Sequence, residues 1–359
     1  MTLSMSLPAP FRRPGGRQRR AAAVVALCAL ALAAASAAAI AIGPSSIPLR
    51  HLLGALAGDP AALDARDGLI LHEIRLPRLL LGTLVGAALG VSGAMMQGLF
   101  RNPLADPALI GVTAGASLAA VSAIVLGGGL LAPLAALAGI HFLPAMAFAG
   151  ALATTSLLYA ISTTGGRTGV ATLLLAGIAI GAAVNAVTGL LIFLADDAEL
   201  RDITFWSLGS LGGATWGRLF AVFPFLLAVV VAIPFTARGL DALALGEAEA
   251  GHLGVSVERL KRVVVVAVAA ACGGAVAVAG SIGFVGIVVP HLLRLAMGPS
   301  NRWLLPASAI FGAALLVAAD TVCRIVVAPA ELPIGIVTAM IGAPVFITLI
   351  LRRRASLGL

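Results

Sequence analysis

Charged residues are scarce in this sequence of 359 residues. Asp, Glu, Lys and Arg together make up 11% of it, aromatic residues 5% and hydrophobic residues 60%. Soluble domains usually contain roughly 25% charged and about 45–50% apolar residues, so the composition excludes a soluble globular protein. The 42 Gly and the abundant Ala supply small side chains, which let helices approach closely inside a bilayer. The composition therefore predicts an all-α polytopic membrane protein.

Residues that build metal sites and catalytic centres are few and scattered. The three cysteines, Cys28, Cys272 and Cys323, lie far apart in apolar segments without CxxC spacing, so we predict buried free thiols. The five His form no HxxxH pair, and no metal site is predicted. Lys261 is the only lysine, and Leu260 precedes it, which excludes a Walker-type ATP site in this chain. No serine elbow with a matched acid and His is present either, so the sequence predicts a protein that is not an enzyme.

Ten apolar segments are candidates for membrane helices, because a spanning helix needs about 20 mainly apolar residues. They cover residues 21–42, 79–98, 108–127, 142–163, 170–194, 217–236, 262–280, 284–296, 303–322 and 334–351. The eighth is too short to cross the membrane alone, and its Gly and Pro residues predict a broken or steeply tilted helix. The membrane domain is predicted to comprise residues 21–351, between a basic tail (1–20) and a second tail (352–359).

The distribution of the 23 Lys and Arg predicts the orientation in the membrane. With the N-terminus in the cytoplasm, 16 of them lie on the cytoplasmic side and 7 outside, so both termini are predicted to be cytoplasmic. Because the positive charge is concentrated at the ends that flank apolar segments, it indicates membrane topology. No nucleic-acid partner is therefore predicted. A cleaved signal peptide is the alternative, although the apolar stretch of about 22 residues exceeds the roughly 7–15 of a typical signal core.

A short motif occurs in two places. Arg75–Arg78 (RLPR) precedes the second apolar segment, and Arg259–Arg262 (RLKR) precedes the seventh, which starts on the opposite side of the membrane. Two sets of five helices related by an in-plane pseudo-two-fold axis would produce this arrangement, although so short a match also arises by chance. The motif is compatible with a 5+5 inverted repeat.

Three segments between the apolar stretches have distinctive compositions. Met95–Pro107 contains two prolines in five residues, which end a helix, and Asn102 or Asp106 can cap the helix that follows. Ala244–Val255 is the longest polar interruption on the predicted cytoplasmic side, and it predicts a short helix ended by a glycine, for docking or for linkage. Gly280–His291 is rich in Gly, which permits close packing and a sharp bend.

Together these segments resemble the permease subunits of type II ATP-binding cassette (ABC) importers for iron-siderophores, haem and cobalamin, which form the FecCD family with its BtuC-like fold. The resemblance extends from about Arg75 to Arg354. Its markers, in order, are RLPR, RNPLADP (Arg101–Pro107), GFVGIVVPHLLR (Gly283–Arg294) and AELPIGIVTAMIGAPVF (Ala330–Phe346). The resemblance implies a ten-helix permease that forms a homodimer in the inner membrane, with the translocation path between the two copies. It also implies two copies of a cytoplasmic ATPase subunit, a periplasmic substrate-binding protein, and no permanently bound cofactor.

The resemblance also implies roles for particular residues. The outward-facing arginines that pair with carboxylates of the binding protein match Arg75, Arg78 and Arg324, which could alternatively anchor helices at the lipid headgroups. The cytoplasmic gate matches Asn102, Leu104, Val170 and Ala171. The ATPase-coupling helix, within a loop at about 237–261, matches Gly246, Glu247, Ala250, Leu253 and Gly254. Candidates for the translocation path are Met95 and Met96, which could instead fill gaps in helix packing.

The transported ligand is predicted to be haem. The segment Arg101–Ala119 (RNPLADPALIGVTAGASLA) looks most like the haem branch of the family, and iron-siderophore or cobalamin import are the alternatives. A hypothesis of a different class is an ion-coupled secondary transporter, which would normally need buried acidic or His residues. Asp320 is the one acidic residue near a membrane segment, and Arg324 lies four residues further on, where the two can pair. The sequence therefore favours the ABC importer.

Overall fold

The computed structural model describes residues 14–43, 47–48, 50–51, 54 and 64–356, and nearly all of its regular structure is helical. Residues 1–13, 44–46, 49, 52–53, 55–63 and 357–359, and the side chains of residues 14, 349–350 and 352–356, lie outside the described part of the chain. Of the basic residues in the two predicted tails, Arg12, Arg13 and the side chains of Arg352–Arg354 fall there, whereas Arg17, Arg19 and Arg20 are helical and exposed.

The first half of the chain forms, in order, α1 (Pro14–Ala41), α2 (Ala65–Leu69), a π-helical turn (Ile70–Arg75), α3 (Leu76–Leu99), a 3-10 turn (Pro107–Ile110), α4 (Val112–Leu126), α5 (Ala132–Ala138), a second 3-10 turn (Gly139–His141), α6 (Phe142–Ile161), β1 (Thr163–Thr164) and β2 (Arg167–Thr168). The second half forms α7 (Val170–Leu194), α8 (Asp197–Leu208), α9 (Trp216–Val231), α10 (Ile233–Leu243), α11 (Glu247–His252), α12 (Val257–Ala279), α13 (Val285–Met297), α14 (Asn301–Val326) and α15 (Ile334–Ser356).

Each of the ten predicted segments coincides with a helix. Within the described residues, six helices are long and apolar enough to cross a membrane, and α9 with α10 makes a seventh span bent by 42°. Three shorter apolar helices, α4, α13 and the first part of α15, account for the remaining segments. The backbone before α13 is irregular, with a left-handed Phe284 (φ 68°). Helix α13 has 13 residues and continues through Pro290, so the prediction that the eighth segment is short is confirmed, whereas its tilt stays a prediction.

Several predicted boundaries are wrong. Helix α1 begins at Pro14 and α15 extends to Ser356, so both enter segments that were predicted to be tails. The second span begins well before residue 79, because α2, the π-helical turn and α3 run on without interruption. Pro77 cannot donate a backbone hydrogen bond four residues back, and the wider π-helical turn lies immediately before it. The predicted loop at 237–261 is also shorter, since α10 extends to Leu243 and α12 begins at Val257. Charged residues near these helix ends interrupt the apolar pattern, so hydropathy places the boundaries inside the helices.

The centre of the molecule is α3, which packs most extensively against α14 and also against α9, α12 and α13. Close approach depends on small residues: a Cβ added at Gly86 would collide with the carbonyl of Gly312, and one added at Gly90 with the carbonyl of Ser308. Packing of this kind replaces the hydrophobic effect as the main attraction between helices in lipid. Helix α1 covers the other side of α14.

A second group of helices consists of α4, α6 and α7, joined to the centre through α12. Here α4 and α6 approach at Gly115 and Gly150, each of which faces the carbonyl of the other. Helix α7 is the least covered of the long helices, because only 6% of its most apolar 18-residue stretch is buried inside the protein. It therefore presents most of its surface to lipid or to another chain.

Candidate functional site

An ionic cluster, the Asp320 cluster (Arg78, Asp320, Arg324 and Glu331), lies where α3 meets α14 and the loop after it. Arg78 donates from Nε and Nη2 to the Asp320 carboxylate at 2.9–3.1 Å, and from Nη1 to Glu331 Oε1 at 2.7 Å. Asp320 also pairs with Arg324 at 3.3 Å, which confirms the predicted pair on one helix face. Three of the four side chains are at most 8% exposed, whereas that of Glu331 is 37% exposed.

Arg324 of this cluster and the neighbouring Arg75 bind the end of α1. Arg75 donates from Nη1 to the carbonyl of Ile40, and Arg324 donates from Nη2 to the carbonyl of Ala39 at 3.2 Å. The last carbonyls of a helix lack partners within it and attract cations, so both contacts stabilise the end of α1.

Arg75, Arg78 and Arg324, which are predicted to be outward-facing docking residues, are buried within the chain. They are 4%, 7% and 5% exposed, because α1 and the acidic residues of the Asp320 cluster cover them. These contacts come from residues distant in the sequence; Arg78 and Asp320 are 242 positions apart. Their role in docking stays a prediction, and a carboxylate from a partner would reach Arg78 by displacing Glu331.

Met95 and Met96 are both fully buried. They lie on α3, which other helices of the same chain surround. Neither faces a surface that a second copy could share, so the interpretation of these residues as path-lining is wrong and the packing alternative holds.

The turn after α3 contains two side-chain caps. Asn102 Oδ1 accepts a hydrogen bond from Leu104 N at 3.0 Å, and Asp106 Oδ1 accepts one from Ala108 N at 2.8 Å. Asp106 thus caps the 3-10 turn before α4, as predicted. Burial raises the pKa of the Asp106 carboxyl, and the bond from Ala108 partly opposes that rise. Asn102 is exposed and Leu104 half-buried, which leaves their gate role a prediction.

The predicted gate residues Val170 and Ala171 begin α7, directly after a two-stranded hairpin. Thr163 pairs with Thr168 and Thr164 with Arg167, so Gly165 and Gly166 form the turn. Both glycines have positive φ (59° and 76°), as the two-residue hairpin turn requires. The Gly-Gly pair between short polar runs is the sequence signal for this hairpin, which the hydropathy reading missed.

The predicted short helix within the cytoplasmic loop is α11, and the prediction that Gly254 ends it is confirmed by the φ of +82° there. Gly246, before the helix, has φ +131°, a conformation that favours glycine. Ala250 is fully buried, while Leu253 is 64% exposed and Leu245 is 67% exposed. Helix α11 therefore packs against the protein through Ala250, and an exposed leucine lies on each side of the helix.

A second ionic cluster, the Lys261 cluster (Thr168, Glu247, Glu258 and Lys261), joins this helix to the hairpin. Lys261 Nζ donates to Glu247 Oε2 at 2.8 Å, to Glu258 Oε1 at 3.0 Å and to the carbonyl of Thr168 at 2.8 Å. Glu258 Oε2 in turn accepts a hydrogen bond from Thr168 N at 2.9 Å. Lys261 is 2% exposed. The sequence analysis does not predict these contacts of Lys261.

The described residues contain no group of three His, Cys, Asp or Glu side chains that could hold a metal ion. Cys28, Cys272 and Cys323 are buried and free, as predicted.

The helices and their two ionic clusters belong to a polytopic membrane protein, and the chain belongs to the FecCD transport family, which it matches over residues 29–352. It is similar to the hemin transport system permease HmuU of Yersinia pestis, with 48% identity over 79% of this chain and 83% of that protein. It is also similar to the cobalamin import system permease BtuC of Halobacterium salinarum, with 45% identity over 78% and 73%. An inward-facing structure described as a metal-chelate type ABC transporter matches with a TM-score of 0.78, 30% identity and coverage of 92% and 99%.

This protein is therefore a permease of a type II ABC importer. Importers of this class work with ATPase and substrate-binding partners. Family membership excludes the ion-coupled secondary transporter considered from the sequence, and the relatives are transport permeases, not enzymes.

Proposed function

We propose that this permease carries haem from the periplasm to the cytoplasm across the inner membrane. The observation that supports haem is the 48% identity to the hemin permease over most of both chains. Cobalamin is the second candidate, because the cobalamin permease is 45% identical. An iron-siderophore is the third.

The proposed assembly is a homodimer with two ATPase subunits and a periplasmic binding protein, and both termini lie in the cytoplasm. Helix α7 supports the dimer, since it is almost uncovered within one copy. Asn185 is exposed in the middle of this apolar helix. Polar side chains in membrane helices usually face other protein or a water-filled path and not lipid. We therefore place the path along α7, between two copies.

The proposed coupling surface is α11 with its flanking leucines, against which an ATPase subunit would pack. Gating is assigned to the turn at Asn102–Leu104 and to the start of α7 at Val170 and Ala171. The binding protein is assigned to the opposite end of the molecule, at the Asp320 cluster.

The test is ATP-driven uptake into proteoliposomes that contain the permease, its ATPase subunit and its binding protein. Hemin, cyanocobalamin and a ferric siderophore are offered separately at equal concentration. We expect hemin uptake to exceed the other two by at least about tenfold, which is the discrimination that about 1.4 kcal/mol of differential binding provides. Uptake of cyanocobalamin or the siderophore above that of hemin would reject haem. A complex without the ATPase subunit is the control and should not accumulate any ligand.

A further inference from the structure

We propose that Lys261 is the positioning residue that links movement of the coupling helix α11 to the hairpin at the start of α7. The proposal rests on the proposed function in one respect: it takes α11 as the element that the ATPase moves. It assigns to Lys261 the transmission of that movement and not a contact with the ATPase itself.

The contacts of Lys261 join three separate parts of the chain at one atom. Its Nζ binds Glu247 at the beginning of α11, Glu258 in the first turn of α12, and the carbonyl of Thr168 in β2. An ammonium group has three protons to donate, and here each has an acceptor at 2.8–3.0 Å. Glu247 therefore cannot move away without either carrying Lys261 along or breaking one of these bonds.

Thr168 attaches the hairpin to the Lys261 cluster and to α6. Thr168 N donates to Glu258, and the Thr168 hydroxyl contacts Thr163 and Tyr159 at 3.0–3.2 Å. Only Gly169 separates Thr168 from the first residue of α7. A shift of the Thr168 carbonyl would therefore also move the start of α7, where the predicted gate residues Val170 and Ala171 lie.

The surroundings leave room for such a shift. A polar cavity of about 290 Å³ lies between the hairpin and α11, and its lining includes Arg167, Thr172, Glu247 and Lys261. Ser162, at the base of the hairpin, is 3% exposed and its hydroxyl lacks a hydrogen-bond partner among the described residues. The hairpin can move into this space without displacing packed apolar side chains.

The Lys261 cluster can exchange one of its ion pairs at low cost, because its carboxylates are partly exposed to water. Lys261 is 2% exposed, but the side chains of Glu247 and Glu258 are 41% and 32% exposed. Water can therefore solvate either carboxylate when it separates from the lysine, whereas the buried ammonium keeps its remaining acceptors. The bond to Glu247 is the one that moves with α11.

The experiment uses the permease assembled with its ATPase subunit in nanodiscs, with a spin label at Thr164→Cys. Thr164 is exposed on the hairpin, and the three native cysteines are buried and do not compete for the label. The spectrum is recorded without nucleotide and after trapping with ATP and vanadate. We expect a nucleotide-dependent change in the parent protein, a loss of at least about fivefold in that change for Lys261→Met, and recovery in Lys261→Arg.

Glu247→Gln is the second variant, because its side chain is partly exposed and its loss does not threaten folding. It should reduce the nucleotide-dependent change, whereas Arg259→Gln, which is exposed on α12 and lies outside both α11 and the Lys261 cluster, should leave it unaltered. The proposal is overturned if the hairpin label does not respond to nucleotide in the parent protein, or if it responds as strongly in Lys261→Met and Glu247→Gln as in the parent. Since no transported ligand is needed, a failure of hemin uptake would reject haem alone and leave this result standing.

Discussion

Asp320 is expected to be the residue on which the stability of the Asp320 cluster depends most. It accepts hydrogen bonds from Arg78 and pairs with Arg324, so Asp320→Asn leaves two buried cations short of one negative charge. Arg78→Met has a milder consequence, because Asp320 keeps Arg324 and the partly exposed Glu331 can be hydrated. The two members of the same ion pair should therefore differ in the cost of their removal.

Removing one partner of a buried ion pair costs about 3–5 kcal/mol, since the remaining charge stays buried. Asp320→Asn should lie at the upper end of that range, near 5 kcal/mol, and Arg78→Met near the lower end, about 3 kcal/mol. Glu331→Gln should cost only about 0–1 kcal/mol, as expected for a pair with a solvent-exposed member.

The assay is unfolding of the purified permease in mixed detergent micelles with increasing SDS, followed by tryptophan fluorescence and checked by thermal unfolding. The order of stability should be parent, Glu331→Gln, Arg78→Met and Asp320→Asn. An Arg78→Met protein less stable than Asp320→Asn would refute the reasoning, and so would equal effects of Asp320→Asn and Glu331→Gln.

Two further predictions concern helix packing and docking. Gly90→Ala should destabilise the protein by about 1–3 kcal/mol in the same unfolding assay, because the added Cβ collides with the carbonyl of Ser308 and overpacks the helix contact. The matched helical control is Gly217→Ala. Its added Cβ has no atom within 4 Å, so this variant should not be destabilised. Glu331→Gln should raise the affinity of the binding protein by up to about fivefold at low salt, because it releases Arg78 for a carboxylate of the partner. Unchanged or weaker binding, measured by surface plasmon resonance across a salt series, would argue against docking at the Asp320 cluster.

The positions of the helices could be predicted from the sequence because hydropathy is a local property. Apolar runs of about 20 residues require helices in lipid, where each backbone polar group must be satisfied within its own segment. The caps at Asn102 and Asp106 and the glycine end of α11 were accessible for the same reason, since each depends on residues one to three positions away. The inverted repeat and the orientation of the termini stay predictions.

The environment of the side chains could not be predicted, because it depends on contacts between distant segments. An arginine at the start of an apolar segment has the same local pattern whether it faces solvent, as expected for Arg78, or is buried against Asp320. Met95 and Met96 illustrate the same limit: a mainly apolar helix gives no sign of which face is enclosed by neighbours. Two local signals do indicate structure of this kind: the Gly165-Gly166 pair indicates the hairpin, and a lysine three residues after Glu258 indicates a paired cation.

The two ionic clusters differ in a way that bears on where the molecule can change shape. In the Asp320 cluster three of the four side chains are at most 8% exposed, and charges so buried interact strongly and rearrange only at high cost. In the Lys261 cluster only the lysine is buried among the charged groups, and both carboxylates reach water. Screening by water lowers the cost of exchanging one partner for another. We therefore expect the end that holds α1, α3 and α14 together to move as a unit, and conformational change to concentrate at the end that carries α11 and the hairpin.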